Sequence, residues 1–190
     1  MIIRVALASV VLGTVMEASG PVTHRFWLHN DDDRAFAIRQ TYPSCDCTSI
    51  SPERLDSVSP GDSVAVDVTF NPRGKGGEFY ETATIVLQDN SHVTLSIEGD
   101  VVTSEETLRR MFPRRVDDST YCSLSERDLG VMAPGQKKTV RYSLLRLGPE
   151  QDWNDTRQEY HEFEFQVPYD AKKGVQSFLK EGILLKARIQ

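Results

Sequence analysis

Apolar and polar residues alternate along much of the first hundred residues. Every second residue of segment 64–70 is valine or phenylalanine, and segments 82–87 and 93–97 alternate in the same way. A period of two is typical of a strand with one buried face. Turn-forming residues separate these segments, at Asn30–Asp33, Ser59–Asp62, Asn71–Gly77 and Asp89–Ser91. About seven short strands at this spacing predict an immunoglobulin-like sandwich.

The second half of the chain repeats part of this pattern. The sequences that begin at Leu12 and at Leu129 share a Leu-Gly, a Val-Met, a glycine-containing turn and then an alternating strand, although two gaps are needed to align them. A shared start implies two copies of one module. The sequence therefore predicts an all-β fold class with two tandem immunoglobulin-like β-sandwich domains, residues 1–103 and residues 117–190. Within the second domain, segment 176–180 is predicted to be a helical turn.

The segment SEETLRRMFPRR, residues 104–115, breaks the β pattern. Ser104 followed by two glutamates is a start signal for a short helix, and Pro113 is a stop signal. We interpret residues 104–116 as an interdomain linker, and we expect its arginines to be solvated.

The first twenty residues allow two interpretations. A basic residue, an apolar stretch and small residues after it give the outline of a secretory signal. The same residues are rich in valine and leucine, which favours a first strand. We predict that residues 1–15 are mostly strand, and the signal interpretation stays open.

Composition and charge exclude some classes of protein. Apolar residues make up 39% of the 190 residues and charged residues 26%, which favours a packed core over disorder. The formal net charge of -6 argues against nucleic-acid binding, which usually needs a basic surface. No apolar run approaches the ~20 residues of a membrane span.

The motif SCDCT, residues 44–48, contains two of the three cysteines. In an extended strand, the α-carbons of Cys45 and Cys47 would lie ~6.5–7 Å apart, so a disulfide between them needs a kink. A zinc site needs four ligands, and redox motifs usually have two residues between the cysteines, at a helix start. We favour a structural role, either packing or a disulfide. A metal site and a redox pair stay open.

Candidate binding residues lie in the second half of the chain. Trp153 follows a polar stretch, where it would contact a protein or glycan partner if exposed, or anchor the loop to the core if buried. Tyr160 and His161 lie in an alternating strand nearby and are further binding candidates. Trp27 is predicted to pack inside the sandwich. Serine-hydrolase, phosphate-loop and zinc-protease motifs are absent from the sequence, so we expect no enzymatic activity and no cofactor.

The ordered motifs of the first half resemble a known family. They are Leu-Gly-Thr-Val, a glycine turn, Thr-His-x-Phe, Ser-Cys-x-Cys-Thr, Pro-Gly, Val-Thr-Phe-Asn and Gly-x-Phe. This series is similar to a bacterial family of domains of unknown function with an SCGCT signature, often found as tandem domains in exported proteins. The resemblance implies a sandwich of the Hydin and major-sperm-protein type, and the family has no established enzymatic activity to carry over to this chain. Asp46 stands where that family usually has glycine.

Two hypotheses about function follow. The favoured one is a non-catalytic exported protein, periplasmic or on the cell surface, that binds a protein or glycan partner. It would bind through sheet edges or through the loops at one end. The alternative is a thiol-dependent metal-binding or redox protein that uses Cys45 and Cys47.

Overall fold

The chain folds into β-sheets in two compact units, one ending at Thr103 and the other beginning at Ser104. The computed structural model describes residues 2–190, and Met1, the first residue of the segment predicted as strand, lies outside them. Sheets dominate both units, so the all-β fold class is confirmed.

The first unit contains nine strands among the described residues. They are β1 (Ile3–Val5), β2 (Ser9–Met16), β3 (Val22–Asn30), β4 (Phe36–Pro43), β5 (Thr48–Ser51), β6 (Leu55–Val58), β7 (Ser63–Phe70), β8 (Gly77–Leu87) and β9 (His92–Val102). One sheet has the order β1-β3-β7-β5, and the other has the order β2-β9-β8-β4-β6. Neighbouring strands run antiparallel, except that β2 runs parallel to β9.

The core of the first unit follows from the alternation in the sequence. On β7, Val66, Val68 and Phe70 are buried, and on β8 the alternate residues Ala83, Ile85 and Leu87 are buried as well. They belong to one apolar cluster, in which the rings of Phe70 and Phe79 stack with centroids 4.1 Å apart. Removing these side chains from water is the main driving force for forming the sandwich.

The prediction for Trp27 is wrong. On β3, Phe26 and Leu28 are buried, whereas Trp27 between them is 53% exposed and lies opposite Ala65 of β7. Three large apolar residues follow one another here, and a strand turns only every second one inward. The register with β7 puts Phe26 and Leu28 inside, and Trp27 therefore faces outward.

The N-terminal segment forms two strands in two different sheets. β1 pairs with β3, and β2 pairs with β9. The register of β2 shifts between Val11 and Gly13, and Gly13 has a φ of +69°. Glycine suits this bulge because other residues rarely adopt such a φ. A side chain at Gly99 would collide with the carbonyl of Gly13.

The second unit has seven strands and one short α-helix in the part described by the structure. They are α1 (Glu105–Met111), β10 (Arg114–Arg115), β11 (Thr120–Cys122), β12 (Glu126–Met132), β13 (Lys137–Leu147), β14 (Thr156–Gln166), β15 (Gly174–Lys180) and β16 (Ile183–Ile189). One sheet has the order β10-β11-β13-β14, and the other has the order β12-β16-β15. Their core contains Val140, Phe163, Phe165, Ile183 and Leu185.

The segment that the sequence analysis interprets as a linker is folded. α1 begins after Ser104, whose hydroxyl accepts a hydrogen bond from the Thr107 N–H at 3.3 Å. Leu108 and Phe112, one helical turn apart, are buried with Leu145 and Leu147 of β13. Because this apolar pair needs a partner surface, α1 belongs to the second unit rather than to a solvated connection.

The segment predicted to be a helical turn, residues 176–180, lies in β15. Lys180 pairs with Ile183 of β16 across a two-residue turn, in which Glu181 and Gly182 have φ values of 49° and 72°. Positive φ at both turn residues matches the right-handed twist of a hairpin, so the chain returns antiparallel. Among residues 2–190, no helix has the length and apolar composition to cross a membrane.

Replacing Leu28 with alanine should test the burial pattern of β3. Because Leu28 is fully buried, we expect the free energy of unfolding to fall by about 2–5 kcal/mol. Trp27→Ala on the same strand is the matched control, with an expected loss of about 1 kcal/mol or less. Urea titrations followed by circular dichroism measure both values, and a larger loss for Trp27→Ala would contradict the observed register.

Candidate functional site

Cys45 and Cys47 are joined by a disulfide in a tight turn between β4 and β5. The turn is closed by a hydrogen bond of 3.1 Å from the Thr48 N–H to the Cys45 carbonyl. It brings the two α-carbons to 5.2 Å, closer than an extended strand would place them. The kink that the sequence analysis requires for a disulfide is therefore present at these residues.

The two sulfur atoms have different surroundings. Cys45 Sγ accepts a hydrogen bond from the Cys47 N–H at 3.2 Å and lies 3.4 Å from Thr48 Oγ1. Cys47 Sγ lies 3.4 Å from Glu81 Oε1. The hydroxyl of Ser44 donates to the other oxygen of Glu81 and accepts from the Thr82 N–H at 2.9 Å. The Thr48 hydroxyl lies nearer to Cys45 Sγ than to Cys47 Sγ, which is 3.9 Å away, and the nearest polar group of Cys47 Sγ is a carboxylate held in place by Ser44.

An open pocket of about 580 Å³ lies beside the disulfide. Both cysteines line it, together with Asp46, Asn71, Arg73 and Lys75. The Asn71 N–H donates to the Cys47 carbonyl at 2.7 Å, which ties the loop after β7 to the cysteine turn. The disulfide therefore borders solvent next to two cationic side chains.

Glu81 completes a group of three possible metal ligands with Cys45 and Cys47, whose ligand atoms lie within 4.8 Å of one another. Metals bind cysteine as the thiolate, and here the two sulfurs are bonded to each other. A metal site at Cys45 and Cys47 would require reduction first, and it stays a prediction. Nothing in the sequence pointed to Glu81, which lies 34 residues from Cys47 along the chain.

The loop closed by the disulfide is very short, since only one residue separates the two cysteines. A cross-link stabilises a fold mainly by removing conformations of the unfolded chain, and a loop of this size corresponds to only about 1.6 kcal/mol. A disulfide between distant strands would contribute more. The Cys45–Cys47 bond therefore contributes little to the stability of the sandwich.

Trp153 is anchored by other side chains in the second unit. Its ring is half-buried and lies 4.9 Å from the ring of Tyr121, and the guanidinium of Arg109 lies 4.3 Å from its centre. Arg109 also forms an ion pair of 2.6 Å with Glu105. Of the two interpretations of Trp153, the geometry matches a loop held against the fold. Arg109, which the sequence analysis expects to be solvated, supplies the cation that lies over the Trp153 ring.

Tyr160 and His161 are consecutive residues of β14. Tyr160 is 81% exposed, whereas His161 is half-buried and stacks on Tyr142 with centroids 5.5 Å apart. Both line an open groove of about 490 Å³ with Tyr142, Arg141 and Glu162. The structure thus brings together two of the three predicted binding residues, and Trp153 does not line this groove.

β14 is an edge strand. One side of it pairs with β13, and no strand among residues 2–190 pairs with the other side. We call this side the free edge. In an antiparallel pair, the N–H and C=O of one residue point to the same side, and successive residues alternate. Ser143 of β13 directs both groups toward Ser123, away from β14. Its partner Tyr160 therefore directs its own N–H and C=O outward to the free edge.

A second contact supports this assignment. Lys180 Nζ donates to the carbonyl of Glu164 at 2.7 Å, so that carbonyl also points away from β13. The register of β13 and β14 has no shift along its length. Gln158, Tyr160 and Glu162 must then direct their backbone groups to the free edge, which Lys180 contacts at Glu164.

The surroundings of the Tyr142 hydroxyl raise its pKa. Its hydroxyl donates to Glu181 Oε2 at 2.7 Å, and this hydrogen bond, together with burial, raises the pKa of Tyr142 to about 12. A phenolate beside the Glu181 carboxylate is disfavoured by charge repulsion. Tyr142 is therefore a neutral donor at physiological pH, and it supports the ring of His161 in the groove.

A protein family matches residues 3–101, just over half of the chain. Its description is protein of unknown function, DUF1573. The chain belongs to the DUF1573 family. No curated protein matches the sequence. The matched residues include the cysteine turn and Glu81, so the disulfide site lies in the DUF1573 part of the chain.

Solved structures similar to this DUF1573 protein are distant. A protein of unknown function from Porphyromonas gingivalis W83 shares 11% identity over 98% of this chain and 99% of that chain, with a TM-score of 0.47. A PapD-like domain of human CEP192 shares 13% identity over 54% and 87%, with a TM-score of 0.43. The periplasmic chaperone SfaE shares 10% identity over 99% and 100%, with a TM-score of 0.38. They say nothing about function.

Replacing both cysteines of the DUF1573 turn with alanine should lower stability only modestly. We expect a loss of about 1–2 kcal/mol in the free energy of unfolding, because the closed loop is so short. Cys122→Ala, which removes the buried thiol of the second unit, is a control without any cross-link. Urea unfolding measures both changes, and complete unfolding of the double variant would show that the disulfide is essential to the fold.

The raised pKa of Tyr142 predicts a pH dependence. The neutral hydroxyl stabilises the folded state below the ordinary value of 10, and this contribution should be lost as the pH rises toward about 12. In Glu181→Gln, the pKa of Tyr142 should fall toward 10. Titrations of the folded protein that follow phenolate absorbance measure this shift. The absorbance change that is missing in Tyr142→Phe identifies the ionisation of Tyr142. If Tyr142 still ionises near pH 12 in Glu181→Gln, the hydrogen bond to Glu181 is not the cause of the raised pKa.

Proposed function

We propose that the chain is a non-catalytic, exported bacterial protein that binds other proteins through the free edge of β14. The observation that carries this proposal is the row of outward backbone groups at Gln158, Tyr160 and Glu162. An extended segment of a partner would continue the sheet by pairing with these groups. Main-chain hydrogen bonds would supply affinity, and alternate side chains would supply specificity.

Most strand edges are protected against such pairing, and β14 is the longest edge without a register shift among residues 2–190. β1, β5, β6 and β10 have four residues or fewer. The longer edges of β2 and β12 contain register shifts, and β15 is a regular edge of only seven residues. Short or bulged edges resist strand addition. β14 has eleven residues, no proline and a continuous register, so it is the edge best suited to a partner.

Charge indicates which segment would fit. β14 contains Glu159, Glu162 and Glu164 and a single basic residue, Arg157. Its present neighbour, β13, pairs Arg146, Arg141 and Lys137 with those three glutamates. A partner strand on the other side would face the same acidic strand. We therefore propose an extended segment with basic residues at alternate positions and an apolar residue opposite Tyr160.

A glycan partner is the weaker hypothesis. Glycan binding would rest on exposed aromatic rings, and Trp153 already packs against Tyr121 and Arg109. Tyr160 alone offers a small platform. The free edge instead offers donors and acceptors at the regular spacing of a polypeptide backbone.

Export is part of the proposal. Disulfides persist in oxidising compartments, and the Cys45–Cys47 bond suits the periplasm or the cell surface. The resemblance of the motif series to a bacterial family of exported proteins supports the same location. The net charge of -6 makes nucleic acid an unsuitable partner.

Proline at Gln158 should block strand addition without unfolding the sheet. The Gln158 N–H points to the free edge, so its loss removes no hydrogen bond to β13, and edge strands tolerate proline there. Binders would be selected from a displayed library of random extended peptides against the intact protein. We expect Gln158→Pro to weaken them at least about tenfold, the effect of roughly 1.4 kcal/mol.

Two control variants separate the possible outcomes. Gln158→Ala keeps the N–H and should retain binding, whereas Tyr160→Ala should weaken it only partly. If the selected peptides bind Gln158→Pro as well as the original protein, the free edge is not the binding surface. Binding of an immobilised glycan panel that is abolished in Tyr160→Ala and retained in Gln158→Pro would favour the glycan hypothesis instead.

A further inference from the structure

We propose that the Cys45–Cys47 disulfide is a thiol–disulfide exchange site that accepts electrons from a dithiol partner, with Cys47 as the sulfur that is attacked. This activity is separate from strand addition at β14. Its evidence is the unequal environment of the two sulfurs and the pocket beside them.

The stability of the leaving sulfur sets the direction of attack. Exchange is faster when the departing sulfur is a stable thiolate. If Cys45 departs, its thiolate accepts the Cys47 N–H at 3.2 Å and is within reach of the Thr48 hydroxyl at 3.4 Å. Hydrogen bonds to an ionised acceptor are stronger than those to a neutral one. The turn is therefore ready to hold a thiolate at Cys45.

Cys47 is unsuited to depart as a thiolate. Glu81 Oε1 lies 3.4 Å from its sulfur, and a thiolate there would meet a second negative charge. A neutral thiol at Cys47 would instead donate to the carboxylate. Glu81 thus acts as a positioning residue for the direction of exchange, and Ser44 holds it in place.

The pocket provides access for the partner. Both cysteines line it, and neither is fully buried. Arg73 and Lys75 line the same pocket and offset the negative charges of Asp46 and Glu81 that an incoming thiolate would meet. The small contribution of the disulfide to folding means that opening it leaves the sandwich intact.

The reaction balances with a dithiol as the reductant. One partner thiolate bonds to Cys47 Sγ, the Cys45–Cys47 bond breaks, and its electron pair goes to Cys45, which takes a proton from water. The second partner thiolate then attacks the partner sulfur of the mixed disulfide. The electron pair of that bond goes to Cys47, which takes a proton from water as it departs and becomes the neutral thiol that donates to Glu81. The partner gains a disulfide, and the protein gains two thiols.

The test uses reduced glutathione, a monothiol that stops at the mixed disulfide. The native oxidised protein would be treated with it, the remaining thiols alkylated, and the adducts located by tandem mass spectrometry. We expect glutathione on Cys47 and the alkyl group on Cys45, in excess over the reverse by roughly tenfold, which one hydrogen bond to a charged group supports. In urea-unfolded protein, the preference should disappear.

Matched variants separate a positioning role from a structural one. Glu81→Gln should reduce the preference for Cys47 several-fold, whereas Glu78→Gln, on the same strand but exposed away from the disulfide, should not change it. Variants with single cysteines give a second readout in the Cys122→Ala background. There, the thiol of Cys45 should react with iodoacetamide at neutral pH faster than that of Cys47.

Two results would overturn the proposal. One is a native disulfide that glutathione opens only after the protein unfolds, which would mark a purely structural bond. The other is equal labelling of Cys45 and Cys47 in the native protein. Neither result depends on peptide binding at β14, so the two proposals fail separately.

Discussion

The need to pair backbone N–H and C=O groups governs this structure. Within each sheet, neighbouring strands satisfy one another, but the outermost strands keep one unpaired side. Most of these edges are short or bulged among the described residues, and Lys180 covers part of one more. β14 is long, regular and open along Gln158–Glu162, and this makes it the surface from which we infer partner binding.

The same pairing fixes which side chains are available for chemistry. The register of β4 and β8 places Glu81 beside the turn that follows β4, and the Ser44 hydroxyl joins the two. Cys45 and Cys47 then lie between the Glu81 carboxylate and two donors, the Cys47 N–H and the Thr48 hydroxyl, at the border of a pocket that Arg73 and Lys75 also line. An ordinary strand end thereby acquires two inequivalent sulfurs, although neither strand contains a recognisable catalytic motif.

Alternation in the sequence was enough to predict the all-β fold class, because burial on one face leaves a period of two. It failed where apolar residues were consecutive, as at Phe26, Trp27 and Leu28, since only the register with β7 decides which face is inside. Arg109 beside Trp153 could not be predicted, because tertiary packing brings them together. Residues 176–180 were predicted to be a helical turn, but they belong to β15, and the hairpin that follows them depends on positive φ at Glu181 and Gly182.

The most direct test of the central claim is amide hydrogen exchange along β14, resolved by residue with NMR. The account predicts alternation, with slow exchange at Arg157, Glu159 and His161, which pair with β13, and fast exchange at Gln158, Tyr160 and Glu162. Added partner peptide should slow the second set only. Uniform protection of all six amides in the free protein would contradict an open edge.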